Sequence, residues 1–318
     1  MPFRPASPLP LVAGRRAAPL ALLLALLLAA LGPGAPARAD EPAAAPAATK
    51  PGAPTKPAAP PAPARPADDI IRDVVAALGG APAMTKHRSE HTKMTIAFQG
   101  LGITGTAEHW GATGDKALTT TEIPNVASTR EGTDGTRSWS QDPINGLRVL
   151  TGIEAEQAHL EAAWNQELRL KELFVKVEAK NDVAEDGTRL ECLVLTPKLS
   201  PPMTDCFDAR THLLVSQRGV RSGPQGDTPF VARMKDWRVV AGIQVPFATE
   251  MQVGPLSFAG TVTLAEFDVP IDPAQFAVPE VAAGEGHGAK GKAGKAARPA
   301  PAKGGKSKAE PAGAPPAP

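Results

Sequence analysis

His87, Glu90 and His91 satisfy H-x-x-E-H, the spacing of a zinc-peptidase class in which both histidines ligate the metal and the glutamate assists a water. That chemistry needs a helix, because only there do positions i and i+4 lie one turn apart on a single face. Here the triplet runs straight into TKMTIAFQ, residues 92–99, whose alternation is that of a strand. In an extended chain the two imidazoles would be ~13 Å apart, too far to share an ion held at ~2.0 Å. The expectation is a solvated strand entry, with a zinc-dependent hydrolase as the lesser alternative. Gly100, Gly102 and Gly105 match G-x-G-x-x-G, but a dinucleotide fingerprint needs a helix opening at the third glycine. The next ten residues are TAEHWGATGD, which have no helical period, so a glycine hairpin is expected instead. No G-x-S-x-G elbow occurs, and Asp134, Asp142, Asp186 and Asp208 stand at turn positions, where carboxylates close turns. No catalytic residue, metal site or cofactor is expected, and the protein reads as no enzyme.

Cys192 and Cys206 are the only cysteines, and their meaning depends on compartment. Arg4, Arg15 and Arg16 precede the apolar run PLALLLALLLAAL of residues 19–31, followed by Gly32, Pro33, Gly34 and the small-x-small site Ala37-Arg38-Ala39. That order predicts a signal peptide over 1–39 and export to the periplasm or beyond. The run is short of the ~20 residues a membrane-crossing helix needs, so an uncleaved anchor is the minor alternative and the cleaved chain is not expected to span a membrane. In an oxidising compartment an even pair favours a disulfide. The two cysteines lie symmetrically about Leu199, in a segment turned by Ser200-Pro201-Pro202, which lets them face each other across a hairpin.

Residues 40–67 hold 11 Ala and 9 Pro, and 283–318 hold 11 Ala, 8 Gly, 6 Pro and 7 Lys or Arg; neither can bury a core. They read as a disordered linker and a disordered basic tail, leaving one domain at 68–282. That domain carries 20 basic against 29 acidic residues, which argues against nucleic acid as a partner. The basic tail could instead meet an anionic envelope polymer.

The elements that would position any site come from two periodicities. Ile70, Ile71, Val74, Val75 and Leu78 recur at helical spacing, with Asp68 as N-cap and Gly79-Gly80 as stop. A second helix is expected over 153–170, IEAEQAHLEAAWNQELRL, which has no Gly or Pro. Elsewhere the period is two, giving strands near 92–99, 101–111, 116–123, 126–131, 136–140, 173–180, 188–196, 204–208, 212–220, 229–240, 243–253 and 256–268. A two-residue turn at Gly254-Pro255 sets 253 against 256, 251 against 258 and 247 against 262. Leu256, Phe258, Val262 and Leu264 then share the face of Ile243, Val245, Phe247, Met251 and Val253. So many strands with so few helices predict a mainly β (α+β) fold, a large curved antiparallel sheet forming an unclosed barrel, with two or three helices on its concave side.

The stretch Glu131–Gly152 contains Asp134-Gly135, Trp139 and Asp142-Pro143 in the order D-G-x-x-x-W-x-x-D-P. It resembles the LolA-like outer-membrane lipoprotein-sorting protein family, of the LolA/LolB open-barrel type. Leu195-Thr196-Pro197, Phe207-Asp208-Ala209-Arg210 and Asp236-Trp237 with Pro246-Phe247 add to the likeness. The resemblance implies helices acting as a lid over a hydrophobic cavity that takes acyl chains. The functional expectation is a carrier of lipid or lipoprotein acyl chains in the cell envelope; the alternative is an envelope-spanning scaffold whose barrel binds nothing. Met94, Ile96, Phe98, Trp139, Leu147, Leu160, Trp164, Val245, Phe247, Met251, Phe258 and Val262 are the expected lining, with a dry core of the same side chains as the competing reading.

Overall fold

The computed structural model describes residues 63–280. The expected signal peptide at 1–39, most of the expected linker and the expected basic tail lie outside the described residues. By its contacts the chain divides at Glu280, and all described residues belong to the first unit.

Thirteen strands form one sheet in the order β6-β5-β4-β3-β2-β1-β13-β12-β11-β10-β9-β8-β7. They are β1 (Ser89–Phe98), β2 (Thr104–Ala112), β3 (Lys116–Ile123), β4 (Ala127–Asp134), β5 (Ser138–Asp142), β6 (Gly146–Val149), β7 (Lys176–Val183), β8 (Arg189–Thr196), β9 (Met203–Asp208), β10 (Leu214–Gly223), β11 (Gly226–Val240), β12 (Ile243–Val253) and β13 (Leu256–Phe267). Two antiparallel meanders, β1–β6 and β7–β13, are joined by the pairing of β1 with β13. Strands β6 and β7 are left as edges, so the barrel is unclosed as expected. Strand β6 was not expected: four residues after a turn give too little alternation to detect.

The β12–β13 register matches the expectation at Val253↔Leu256 and Met251↔Phe258. A bulge between Lys93 and Met94 then shifts the β1–β13 pairing. Beyond it Ala265 and Phe267 continue the inward row, while Leu264 opposes exposed Lys93 and leaves the face it was expected to share.

The helices depart from expectation at their ends. Helix α1 (Ala67–Ala77) begins two residues early, so Asp68 is in its first turn, paired with Lys171 at 2.5 Å, and not a cap. Arg65, in the stretch read as linker, bridges Asp73 and Glu191. Gly79, at φ 118°, turns the chain into a further helix, α2 (Gly80–Lys86). The segment expected as one helix over 153–170 is three pieces: α3 (Gly152–Ala162), a 3₁₀ turn (Gln166–Leu168) and α4 (Leu170–Leu173). It breaks where Asp115 accepts the Trp164 backbone N–H at 2.8 Å and the Arg169 guanidinium at 2.6 Å, and where Asn165 takes φ 53°. Good local propensity is overridden here by a single tertiary carboxylate.

The main core lies where Ile70 and Val74 of α1, Leu78 just after it and Met84 of α2 pack with Leu193, Leu195, Ile243 and Val245. On the opposite, convex face, Trp139 and Leu118 are sealed by Phe276 of the C-terminal 3₁₀ turn (Pro273–Phe276), whose carbonyl accepts the indole N–H at 3.1 Å. Cys192 and Cys206 are direct partners across the β8–β9 hairpin and are joined in a disulfide.

Candidate functional site

Helix α3 lies across the concave face, touching β4 and β5 on one side and β10 on the other. Between it, the 163–167 turn and the sheet is a cavity of about 140 Å³. Its apolar lining comes from Met84, Leu160, Trp164, Met203, Phe230, Ala232, Met234, Met251 and Phe267. Phe230, Ala232 and Met234 stand at period two on β11, a signal the sequence carried but which Pro229 and the charges around it obscured.

Of the expected lining, Leu160, Trp164 and Met251 border this cavity. Met94, Ile96, Phe98 and Phe258 instead form a tight cluster with Ile123, Val253 and Leu256, against which Val262 packs. Val245 and Phe247 belong to the core under α1, and Arg238 stacks over the Phe247 ring at 4.2 Å. Trp139 and Leu147 sit in the convex cluster with Phe276, because alternation along β5 gives the concave face to Ser138, Ser140 and Asp142.

That last point extends over the neighbouring strands β3 and β4. His109 and Gly111 border the cavity, and the register carries their face to Ala117, Thr119 and Thr121 on β3 and to Thr129, Glu131 and Thr133 on β4. Thr119, Thr121, Thr129 and Thr133 are each 3% exposed and Ser140 is fully buried. The concave surface is therefore hydroxylic over β3, β4 and β5, while Met94, Ile96 and Phe98 keep it apolar on β1. Apolar patterning cannot report such a wall, since threonine satisfies strand propensity without marking a buried face.

Helix α3 is held over the cavity by polar contacts. Gln157 donates to the Val220 carbonyl at 2.7 Å and accepts from the Ser222 N–H at 3.0 Å. Arg148 holds Glu154 through both nitrogens. Arg221 contacts Glu161 on the helix and Glu131 on β4, the latter at 3.4 Å. Glu156 accepts the backbone N–H groups of Lys198, Leu199 and Ser200 and the Ser200 hydroxyl. Burial tends to raise the Glu156 pKa, but these donors outweigh it and hold the carboxyl below its ordinary value. At Glu131 the balance is reversed: burial pushes its carboxyl up, and Arg221 only partly compensates.

The H-x-x-E-H residues are drawn apart. His87 is in extended chain after α2, with its ring nitrogens at 2.7 Å from Asp268 and 3.1 Å from the Ala241 carbonyl. His91 reaches Glu108 at 2.7 Å and stacks on Trp110 at 3.6 Å. Glu90 faces the other way, toward His109 at 3.4 Å. Among the described residues the one group of potential ligands close enough to share an ion is Asp182, Cys192 and Cys206, and its sulfurs are taken by the disulfide. Gly100 and Gly102, both at positive φ, form the β1–β2 hairpin turn, as the absence of a following helix required.

No helix among the described residues is long and apolar enough to cross a membrane. No family model matches the sequence, and no curated protein matches it. Among solved structures, the chain is similar to a DUF1329 family protein from Desulfovibrio piger at 10% identity, over 67% of this chain and 97% of that one, with a TM-score of 0.45. It is similar to a putative outer membrane lipoprotein-sorting protein domain from Vibrio parahaemolyticus at 9% identity, over 66% and 97%, with a TM-score of 0.43. It is also similar to a LolA superfamily protein from Nitrosomonas europaea at 10% identity, over 65% and 97%, with a TM-score of 0.46.

Proposed function

We propose that this protein is exported and carries an acyl chain or comparable apolar group in its concave face, with α3 moving as a lid. The observation that carries this reading is the cavity under α3, bordered by Met84, Leu160, Met234 and Met251 in a sheet left open at two edges. Flexible methionines suit a ligand of variable shape. The disulfide supports an oxidising compartment.

Magnitudes require the lid to move. A cavity of 140 Å³ is about the size of an engineered apolar void that holds one benzene, too small for a long chain. The polar contacts that hold α3 are worth about 1 kcal/mol each, and together they approach the roughly 10 kcal/mol returned by burying twelve methylenes at ~0.8 kcal/mol each. Opening the lid and filling the space beneath it are therefore comparable in free energy.

The test is native mass spectrometry and organic extraction of the exported full-length protein. A co-purifying lipid near one equivalent, lost when Met251 and Met234 are replaced by Asp, is the expected result. An empty protein that also refuses added fatty acids and lipopeptides would overturn the carrier reading in favour of a scaffold.

A further inference from the structure

The turn that ends the lid carries two buried polar atoms without partners, and both belong to residues that border the cavity. Gln166 is 4% exposed; its Nε2 donates to the Leu160 carbonyl at 2.5 Å, while its Oε1 is buried and accepts nothing. The amide cannot be turned over, because that would set its oxygen against the Leu160 carbonyl oxygen. Gln166 therefore presents an acceptor of fixed orientation. Two residues earlier, Trp164 is anchored by its backbone N–H on Asp115, and its indole N–H is also buried and donates to nothing. Both residues are among those that line the cavity. Orphaned buried groups each cost about 1–3 kcal/mol, and native proteins keep them where something else completes them.

We propose that the 164–166 turn recognises an uncharged hydroxyl or amide group attached to the hydrocarbon of the ligand. This deepens the carrier reading and rests on it. The site offers one donor and one acceptor, so its complement must both accept and donate. A carboxylate or phosphate supplies no proton to Gln166, an ammonium supplies no lone pair to Trp164, and plain hydrocarbon supplies neither. A hydroxyl does both with one oxygen, and an amide does both through its C=O and N–H. The apolar neighbours Met84, Leu160 and Met251 then take the adjoining methylenes, and the ligand closes the lid turn from inside.

The experiment compares three neutral straight-chain probes of similar length on the full-length protein: 1-dodecanol, dodecanamide, and dodecyl methyl ether, which keeps the acceptor but lacks the donor. Dissociation constants come from tryptophan fluorescence, with dodecanoate as a reference. The alcohol and the amide are expected to bind at least tenfold more tightly than the ether, as one unmet buried acceptor requires. Gln166→Met, which keeps the shape and removes the acceptor together with the Leu160 hydrogen bond, should narrow that gap to within threefold. The comparison in the native protein stands whether or not the variant folds. Equal affinity for ether and alcohol would overturn the proposed group recognition and leave the carrier reading intact. Failure of all four probes to bind would overturn both.

Discussion

Gly132 and Trp139 are direct partners across β4 and β5, and a Cβ on the glycine would lie 2.6 Å from the indole Cζ2. The ring is fully buried and its N–H is held by the Phe276 carbonyl, so it cannot yield. Gly132→Ala should therefore cost about 1–3 kcal/mol through overpacking, lowering Tm by roughly 2–4 °C per kcal/mol in a domain of this size. An unchanged Tm by calorimetry would mean that the C-terminal 3₁₀ turn does not pin the indole.

Removing the disulfide tests a different kind of constraint. Cys192 and Cys206 are 14 residues apart in sequence, and a closed loop of that size restricts the unfolded chain by ~3 kcal/mol. The Cys192→Ala/Cys206→Ala double variant is expected to unfold at lower denaturant concentration, with the m-value rising slightly as the unfolded state expands. Equal midpoints with and without reductant would refute the contribution.

Asp134 gives the acid limb of stability. Burial tends to raise its pKa, but the Thr136 hydroxyl and the backbone N–H groups of Arg137 and Thr136 prevail and bring it to about 2. A depressed carboxyl contributes stability above its ordinary pKa and loses it as pH falls, here from ~4 toward 2, amounting to about 2 kcal/mol. Asp134→Asn should be less stable than the parent at pH 7 and converge with it near pH 2 in urea titrations. Parallel pH profiles would contradict this.

These residues explain what the sequence could and could not disclose. The D-G-x-x-x-W-x-x-D-P stretch is a hairpin device: Asp134 closes one turn, Trp139 fills the convex core, and Asp142 accepts the N–H groups of Ile144 and Asn145. It spoke to fold, and it drew Trp139 into the expected cavity lining although that ring lies on the other face. The β12–β13 face was readable because both strands alternate cleanly up to the bulge. The break after Ala162 was not, since Asp115 is 49 residues from the Trp164 N–H that it binds and no local pattern records that meeting. The hydroxylic wall was hidden for the same reason, as β3, β4 and β5 must be placed in register before their hydroxyls align.

The Glu131–Arg221 contact predicts asymmetric mutants. Arg221→Met leaves Glu131 buried without its cation and should cost about 3–5 kcal/mol at pH 7. Because burial raises the Glu131 pKa, the native state binds that proton more readily than the unfolded chain. Its contribution therefore falls as pH rises past the ordinary carboxyl range and recovers as pH drops. The loss in Arg221→Met should accordingly shrink in acid, and Glu131→Gln/Arg221→Met should regain most of it at pH 7. A double variant as unstable as the single one would rule out this coupling.

The lid can be loosened at one residue. Gln157→Leu removes both bonds to β10, each worth about 0.5–1.5 kcal/mol, and hydrogen exchange of the α3 amides should quicken by about tenfold while the β12 and β13 amides keep their protection. Unaltered exchange in α3 would show that the helix is held by its other contacts alone.

The pairing of β1 with β13 also sets the order in which the molecule can be completed. Strand β1 has β2 within a few residues, but its second neighbour is 256–267, near the other end of the described chain. Until that segment is available the first meander ends in an open row of backbone donors and acceptors, from Glu90 to Phe98, beside unburied Met94, Ile96 and Phe98. Such an edge invites pairing with other chains, and closing it late incurs the entropy of a very long loop. A nascent chain lacking β13 thus has a sticky, half-finished sheet, and shielding β1 from partners during that interval is a requirement written into the topology itself.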